Sequence, residues 1–114
     1  MGHTDQIVIC DAGYPIPNDA NRIDLAFRRN NPQFFDVLDV IMEELIVEKI
    51  VIAQEVETNS PHTHHNIITR FPTIEIDKIT HEQFKLVAMN SKAYIRTGEC
   101  TPYANIILIA GVDF

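Results

Sequence analysis

The apolar residues of this chain fall into short runs divided by polar, Pro- and Gly-marked breaks, and each run carries a strand or a helix period. Ile7-Val8-Ile9-Cys10 is continuous and β-branched, which predicts a buried strand. Residues 11–21 include Gly13, Pro15 and Pro17 and predict a loop, because Pro supplies no donor to a ladder. Residues 22–27 alternate polar and apolar and predict a half-buried strand, broken at Asn30-Asn31-Pro32. From 33 to 45, Phe34, Leu38, Ile41, Met42 and Leu45 recur at helical spacing with acidic residues mostly between them. Residues 49–55 return to strand character through Ile50-Val51-Ile52-Ala53. Residues 59–72 admit at most a short helix, opened at Ser60-Pro61 and stopped by Pro72. After a brief strand at 73–76, Thr80-His81-Glu82-Gln83 forms a capping box whose helix buries Phe84, Val87 and Ala88. Residues 93–96 and 103–110 complete the set as strands. Strands alternating with helices predict an α/β fold: one domain over residues 1–114, a layered sandwich with a central β-sheet flanked by helices.

Two of the apolar runs carry dense polar patches. Gly2-His3-Thr4-Asp5 precedes the first, and Thr97-Gly98-Glu99-Cys100-Thr101-Pro102-Tyr103-Ala104-Asn105 precedes Ile106-Ile107-Leu108-Ile109-Ala110. Groups at the ends of buried strands sit on a rigid edge. Imidazole, carboxylate, phenol and amide are the groups that hold a polyhydroxylated molecule and move its protons, so the pattern points to a sugar-handling site.

Composition narrows the partners. The 114 residues make one domain, and 46% apolar with 22% charged residues is ordinary for a globular chain. A formal net charge of -7 argues against a nucleic-acid surface and an anionic membrane, and fits a neutral or cationic ligand. No apolar stretch approaches the roughly 20 residues of a spanning helix, and no basic segment followed by an apolar one opens the sequence. Cys10 and Cys100 read as reduced thiols of a cytoplasmic protein, each either a nucleophile or a small apolar filler beside a strand.

Several residues carry a sharp and a bland reading at once. His81, in the first turn of its helix, faces a macrodipole that disfavours positive charge; it is either a neutral imidazole suited to proton transfer or an idle helix-start residue. His3 with Asp5 is either an imidazole with its tautomer fixed or a frayed terminal residue. Asp11, just past a strand, stands where open α/β sheets place ligands, or is a turn aspartate. His62, His64 and His65 suggest a metal site, yet the surrounding spacing matches no ligand motif, so a solvated polar loop is the simpler reading. Glu55 and Glu57 read as solvated charge. Neither a P-loop nor Gly-x-Gly-x-x-Gly occurs, so nucleotide cofactors lack support.

Four separated blocks, in order, resemble the ribose pyranase and fucose mutarotase family. They are Gly-His-Thr-Asp at 2–5 running into Ile-Val-Ile-Cys-Asp-Ala-Gly-Tyr-Pro-Ile-Pro, Arg22-Ile23-Asp24-Leu25, Thr80-His81-Glu82-Gln83-Phe84-Lys85, and residues 95–106. The ribose branch is the nearer one. The resemblance implies a ring-like homo-oligomer, typically a decamer of two pentameric rings. It also implies a site near a subunit boundary that uses no cofactor and no metal. The implied activity is interconversion of the pyranose and furanose forms of D-ribose by general acid-base ring opening. Carried over by motif, His3 matches the proton donor, and Asp11, His81, Tyr103, Ala104 (through its backbone) and Asn105 match substrate-binding positions. Gly98 and Glu99 fall in the matching turn in a supporting role. Family members usually carry a helical segment ahead of Gly-His-Thr-Asp, and this sequence opens at Met1-Gly2. The alternative to an active isomerase is therefore a sugar-binding oligomer that lost catalysis with that helix.

Overall fold

The computed structural model describes residues 5–111, so His3 lies outside the described residues. Ten elements follow one another in this stretch: β1 (Gln6–Cys10), β2 (Arg22–Asp24), α1 (Phe34–Glu44), β3 (Val47–Ala53), α2 (Glu55–Asn59), α3 (Pro61–Arg70), β4 (Glu75–Ile79), α4 (His81–Ala88), β5 (Ala93–Arg96) and β6 (Ile106–Ala110). The strands form one six-stranded sheet in the order β2-β5-β1-β6-β3-β4. β1, β2 and β5 are mutually parallel, β3 and β4 are parallel to each other, and β6 runs antiparallel to both β1 and β3. The carboxyl ends of the five like-directed strands therefore share one edge with the amino end of β6.

Alternate residues of the central strands feed two cores, as strand geometry requires. Ile7, Ile9, Ile50, Ile52, Ile106 and Leu108 pack against Phe34 and Leu38 of α1, Val56 of α2 and Ile67 of α3. Val8, Cys10, Val51 and Ile107 face the other way, onto Phe84 and Ala88 of α4 and onto Tyr14 and Ile16. Helices thus cover both faces, and the layered α/β sandwich is the observed architecture.

The elements depart from expectation in places with physical causes. Residues 22–27 are strand only over Arg22–Asp24 and exposed throughout. β2 is the sheet edge, paired to β5 alone, and among the described residues the apolar half of its alternation stays exposed: Ile23 47%, Leu25 44% and Phe27 80%. The segment from 59 to 72 holds the ten-residue α3, with Pro61 at its start, where a missing N–H is harmless. Glu55, expected at a strand end, instead opens α2, and β3 begins earlier, at Val47. The strand expected at 73–76 lies at Glu75–Ile79. The strand expected from 103 begins at Ile106, because Tyr103 takes a left-handed backbone with φ 63°.

α4 is fixed at both ends. The capping box forms: Gln83 N–H donates to Thr80 Oγ1 at 3.1 Å and Thr80 N–H donates to Gln83 Oε1 at 3.1 Å. At the far end the Gln6 amide donates to Val87 O at 3.0 Å and to Ser91 Oγ at 2.9 Å, tying the helix to β1.

Candidate functional site

The shared strand edge gathers Asp11 after β1, His81 after β4, Glu99 after β5 and Tyr103 before β6. There they line one cavity of about 440 Å³, with Tyr14, Arg29, Cys100 and Thr101. That volume suits a small ligand, and the position past the strand carboxyl ends is the favoured one in open α/β sheets.

Each side chain is held by identifiable contacts. The Asp11 backbone N–H donates to Asn105 Oδ1 at 2.8 Å, and Asp11 Oδ1 accepts from Gly13 N–H at 3.0 Å, closing a tight turn after β1. Burial raises the Asp11 carboxyl pKa, opposed in turn by the Gly13 N–H, Asn105 and the His81 imidazole. His81 stands edge-on to Tyr103, ring centroids 5.2 Å apart, and edge-on to Tyr14 at 6.0 Å, while stacking on Phe84. Among the described residues, His81 Nδ1 and Asn105 Nδ2 are buried without a hydrogen-bond partner. Buried polar atoms of this kind call for a partner, since an unmade hydrogen bond in the interior is expensive. Tyr103 supplies its ring from a left-handed backbone, which an aromatic residue adopts only where the surroundings enforce it.

Of the expected site residues, the structure brings Asp11, His81 and Tyr103 to the cavity wall. Ala104 and Asn105 are fully buried just behind it, and Asn105 acts there on the Asp11 backbone. His3 is outside the described residues.

Four more residues brace the walls: Gly98 and Glu99, expected in a supporting role, and Glu55 and Thr97, which the sequence did not single out. Glu55, read as solvated charge, is half-buried and accepts the His81 backbone N–H with both carboxylate oxygens, each at 3.0 Å. It thereby holds the start of α4, and with it the imidazole, against the end of β3. Glu99 does the same for the opposite wall: Oε1 accepts from Phe34 N–H at 2.9 Å, and Oε2 accepts from the Thr101 hydroxyl at 2.8 Å. Thr97, fully buried, donates its hydroxyl to Cys10 O at 2.9 Å and accepts from Glu99 N–H at 3.1 Å. Gly98 is packed so closely that a Cβ would lie 2.5 Å from Arg28 O and 2.6 Å from Asn31 N.

The thiols divide. Cys10 is the buried filler, its thiol pushed up to about 12 chiefly by burial, then by Asp11. Cys100 is exposed and lines the cavity, so the filler reading fails for it. His62, His64 and His65 lie on α3 rather than in a loop, with His62 Nε2 paired to Asn66 at 3.2 Å. Among the described residues no group of three or more His, Cys, Asp or Glu is placed to hold a metal ion, and no helix is long and apolar enough to cross a membrane.

A mixed sheet covered on both faces, with one small polar cavity at the strand carboxyl ends, defines a small-molecule-handling α/β protein. Residues 1–113 match the RbsD / FucU transport protein family, and the chain belongs to that family. It is 51% identical to the D-ribose pyranase of Petrotoga mobilis over all of this chain and 87% of that protein. It is equally similar, at 51% over 86% of the relative, to the D-ribose pyranase of Geobacillus thermodenitrificans. Bacillus subtilis RbsD, solved in complex with D-ribose, superposes with a TM-score of 0.97 at 46% identity, covering all of this chain and 87% of that one. The fucose mutarotase of Streptococcus pneumoniae, solved with L-fucose, superposes with a TM-score of 0.79 at 29% identity over the same shares.

Proposed function

We propose that this chain is a D-ribose pyranase, interconverting the six- and five-membered ring forms of the free sugar without a cofactor. One observation carries the reading: a half-buried carboxyl, an imidazole and a phenol meet in one small cavity of a protein whose fold matches a D-ribose complex. Opening the hemiacetal requires a proton delivered to the ring oxygen and one removed from the anomeric hydroxyl. The open aldehyde then turns about its C–C bonds and is attacked by a different hydroxyl. Positioned acid-base groups supply about 10²–10⁴-fold each. Burial draws the Asp11 pKa upward from the usual carboxylate value. The His81 imidazole, which lines the cavity with Nδ1 unpartnered among the described residues, donates or accepts across the bound sugar. Tyr103 packs beside that imidazole and offers its hydroxyl to the sugar, and Asn105 holds Asp11 from behind. His3 is assigned the proton-donor role by motif, and Ala104 a backbone contact.

The same reading includes assembly into a ring-like homo-oligomer, a decamer, in the cytoplasm. The uncovered apolar edge supports it: Phe27 is 80%, Val40 58% and Leu25 44% exposed, and Leu25 and Val40 line an apolar groove with Pro32, Val37 and Ile41. Magnetisation-exchange NMR on D-ribose tests the activity. Pyranose–furanose exchange accelerates with protein and returns to the buffer rate in His81→Ala; exchange unchanged by the parent protein removes the proposal.

A further inference from the structure

A second cavity lies at the opposite end of α4. It measures about 260 Å³, below the range that takes drug-sized molecules, and shares no lining residue with the first. Pro17, Ala20 and Met89 give it apolar walls, and Asp19, Asn21, Ser91 and Tyr94 its polar groups. The Tyr94 side chain is the unusual member. It is 2% exposed, and its Oη is buried with no hydrogen-bond partner among the described residues. Burial raises the Tyr94 pKa, with Cys10 and Asp19 adding to the shift.

We propose that this cavity is a second ligand site, and that it takes a small uncharged polyol of pentose size. The chemistry of the lining selects that class. Ser91 Oγ already accepts from the Gln6 amide, so its hydrogen remains free to donate. The Tyr94 hydroxyl also donates, while Asp19 and the Asn21 carbonyl only accept. A ligand satisfying all four must offer donors and acceptors together, with C–H faces for Pro17 and Met89. Hydroxyl groups on a short carbon chain meet both demands. Asp19 repels an anion, and the lining holds no cation to offset it. Tyr14 joins the two sites: its ring lies 6.0 Å from Tyr94 and 6.0 Å from His81. Tyr94, in the wall of the second cavity, therefore packs beside the ring that packs against the His81 imidazole.

Equilibrium dialysis with labelled D-ribose tests the proposal on the assembled protein. Wild type binds two equivalents per chain, and Asp11→Asn, which disables the first cavity, keeps the second. Tyr94→Phe and Asp19→Asn, measured separately, each weaken that remaining equivalent about three- to ten-fold, the loss expected for one hydrogen bond. They leave the Asp11-dependent equivalent in place. A single equivalent that Asp11→Asn abolishes overturns the second site while leaving the proposed function standing. So does a second equivalent indifferent to both Tyr94→Phe and Asp19→Asn. Two equivalents in a protein that accelerates no ring exchange would instead sink the proposed function and keep the second site.

Discussion

Glu55 should govern how well His81 does its work, although it does not itself line the cavity. Its carboxylate takes the N–H of the first residue of α4 with two oxygens at 3.0 Å, from across the β3–α2 junction. A hydrogen bond to a charged acceptor is worth about 1.5–3 kcal/mol, and a carboxylate at a helix start adds about 0.3–1. Because Glu55 is half-exposed, the lower part of that range applies, about 1.5–2 kcal/mol. If that energy holds the imidazole in its reacting position, Glu55→Ala lowers kcat/KM about 10- to 30-fold, since 1.4 kcal/mol is tenfold in rate. Glu55→Gln retains an acceptor oxygen and recovers all but about three-fold. The assay is ring-form exchange of D-ribose over a concentration series, separating kcat from KM, beside urea unfolding of the same variants. A drop in kcat that Gln rescues marks a positioning residue. Full kcat/KM in Glu55→Ala, with only the unfolding midpoint lowered, refutes the reasoning.

Three further outcomes follow from the site. Burial raises the Asp11 pKa, so the native state holds that proton to higher pH than the unfolded chain; stability falls as pH rises through the window between the unfolded and native values and is unpenalised below it. Asp11→Asn is accordingly inactive yet more stable than the parent at pH 7, with the advantage gone in acid; urea titrations showing it less stable at neutral pH would contradict this. Iodoacetamide on the folded protein labels Cys100 and spares Cys10, and D-ribose slows the labelling, as peptide mass spectrometry reads directly. Labelling of Cys10 first contradicts the burial assigned to it. Gly98→Ala drives a Cβ into the backbone of Arg28 and Asn31, and costs about 1–3 kcal/mol, or roughly 5–15 °C in Tm. A Tm within a degree or so of the parent would show that the 28–31 turn yields freely.

Local signals were legible and tertiary ones were not. The Thr80 capping box and the apolar stripe of α4 are written within a few neighbouring residues, and both stand in the structure. The two-faced core of β1 follows from an unbroken apolar run. β2 misled because alternation reports which side of a strand is apolar, and says nothing of whether another element packs on that side. Residues 59–72 carry two prolines, and the first starts a helix as readily as the second stops one. The Tyr103 turn was invisible because an aromatic side chain gives no hint of a left-handed backbone. Asp11 and His81 could be singled out by position and chemistry. Glu55, 26 residues from His81 in sequence, could not, since only β3 and β4 lying side by side brings the two together.

The central claim is that the Asp11–His81–Tyr103 cavity is where the sugar reacts. A crystal structure of the protein with D-ribose tests it most directly. The account requires the pentose in that cavity with hydroxyls within hydrogen-bond reach of the Asp11 carboxyl and the His81 ring. Ribose seated elsewhere, with both groups left facing solvent, would contradict it.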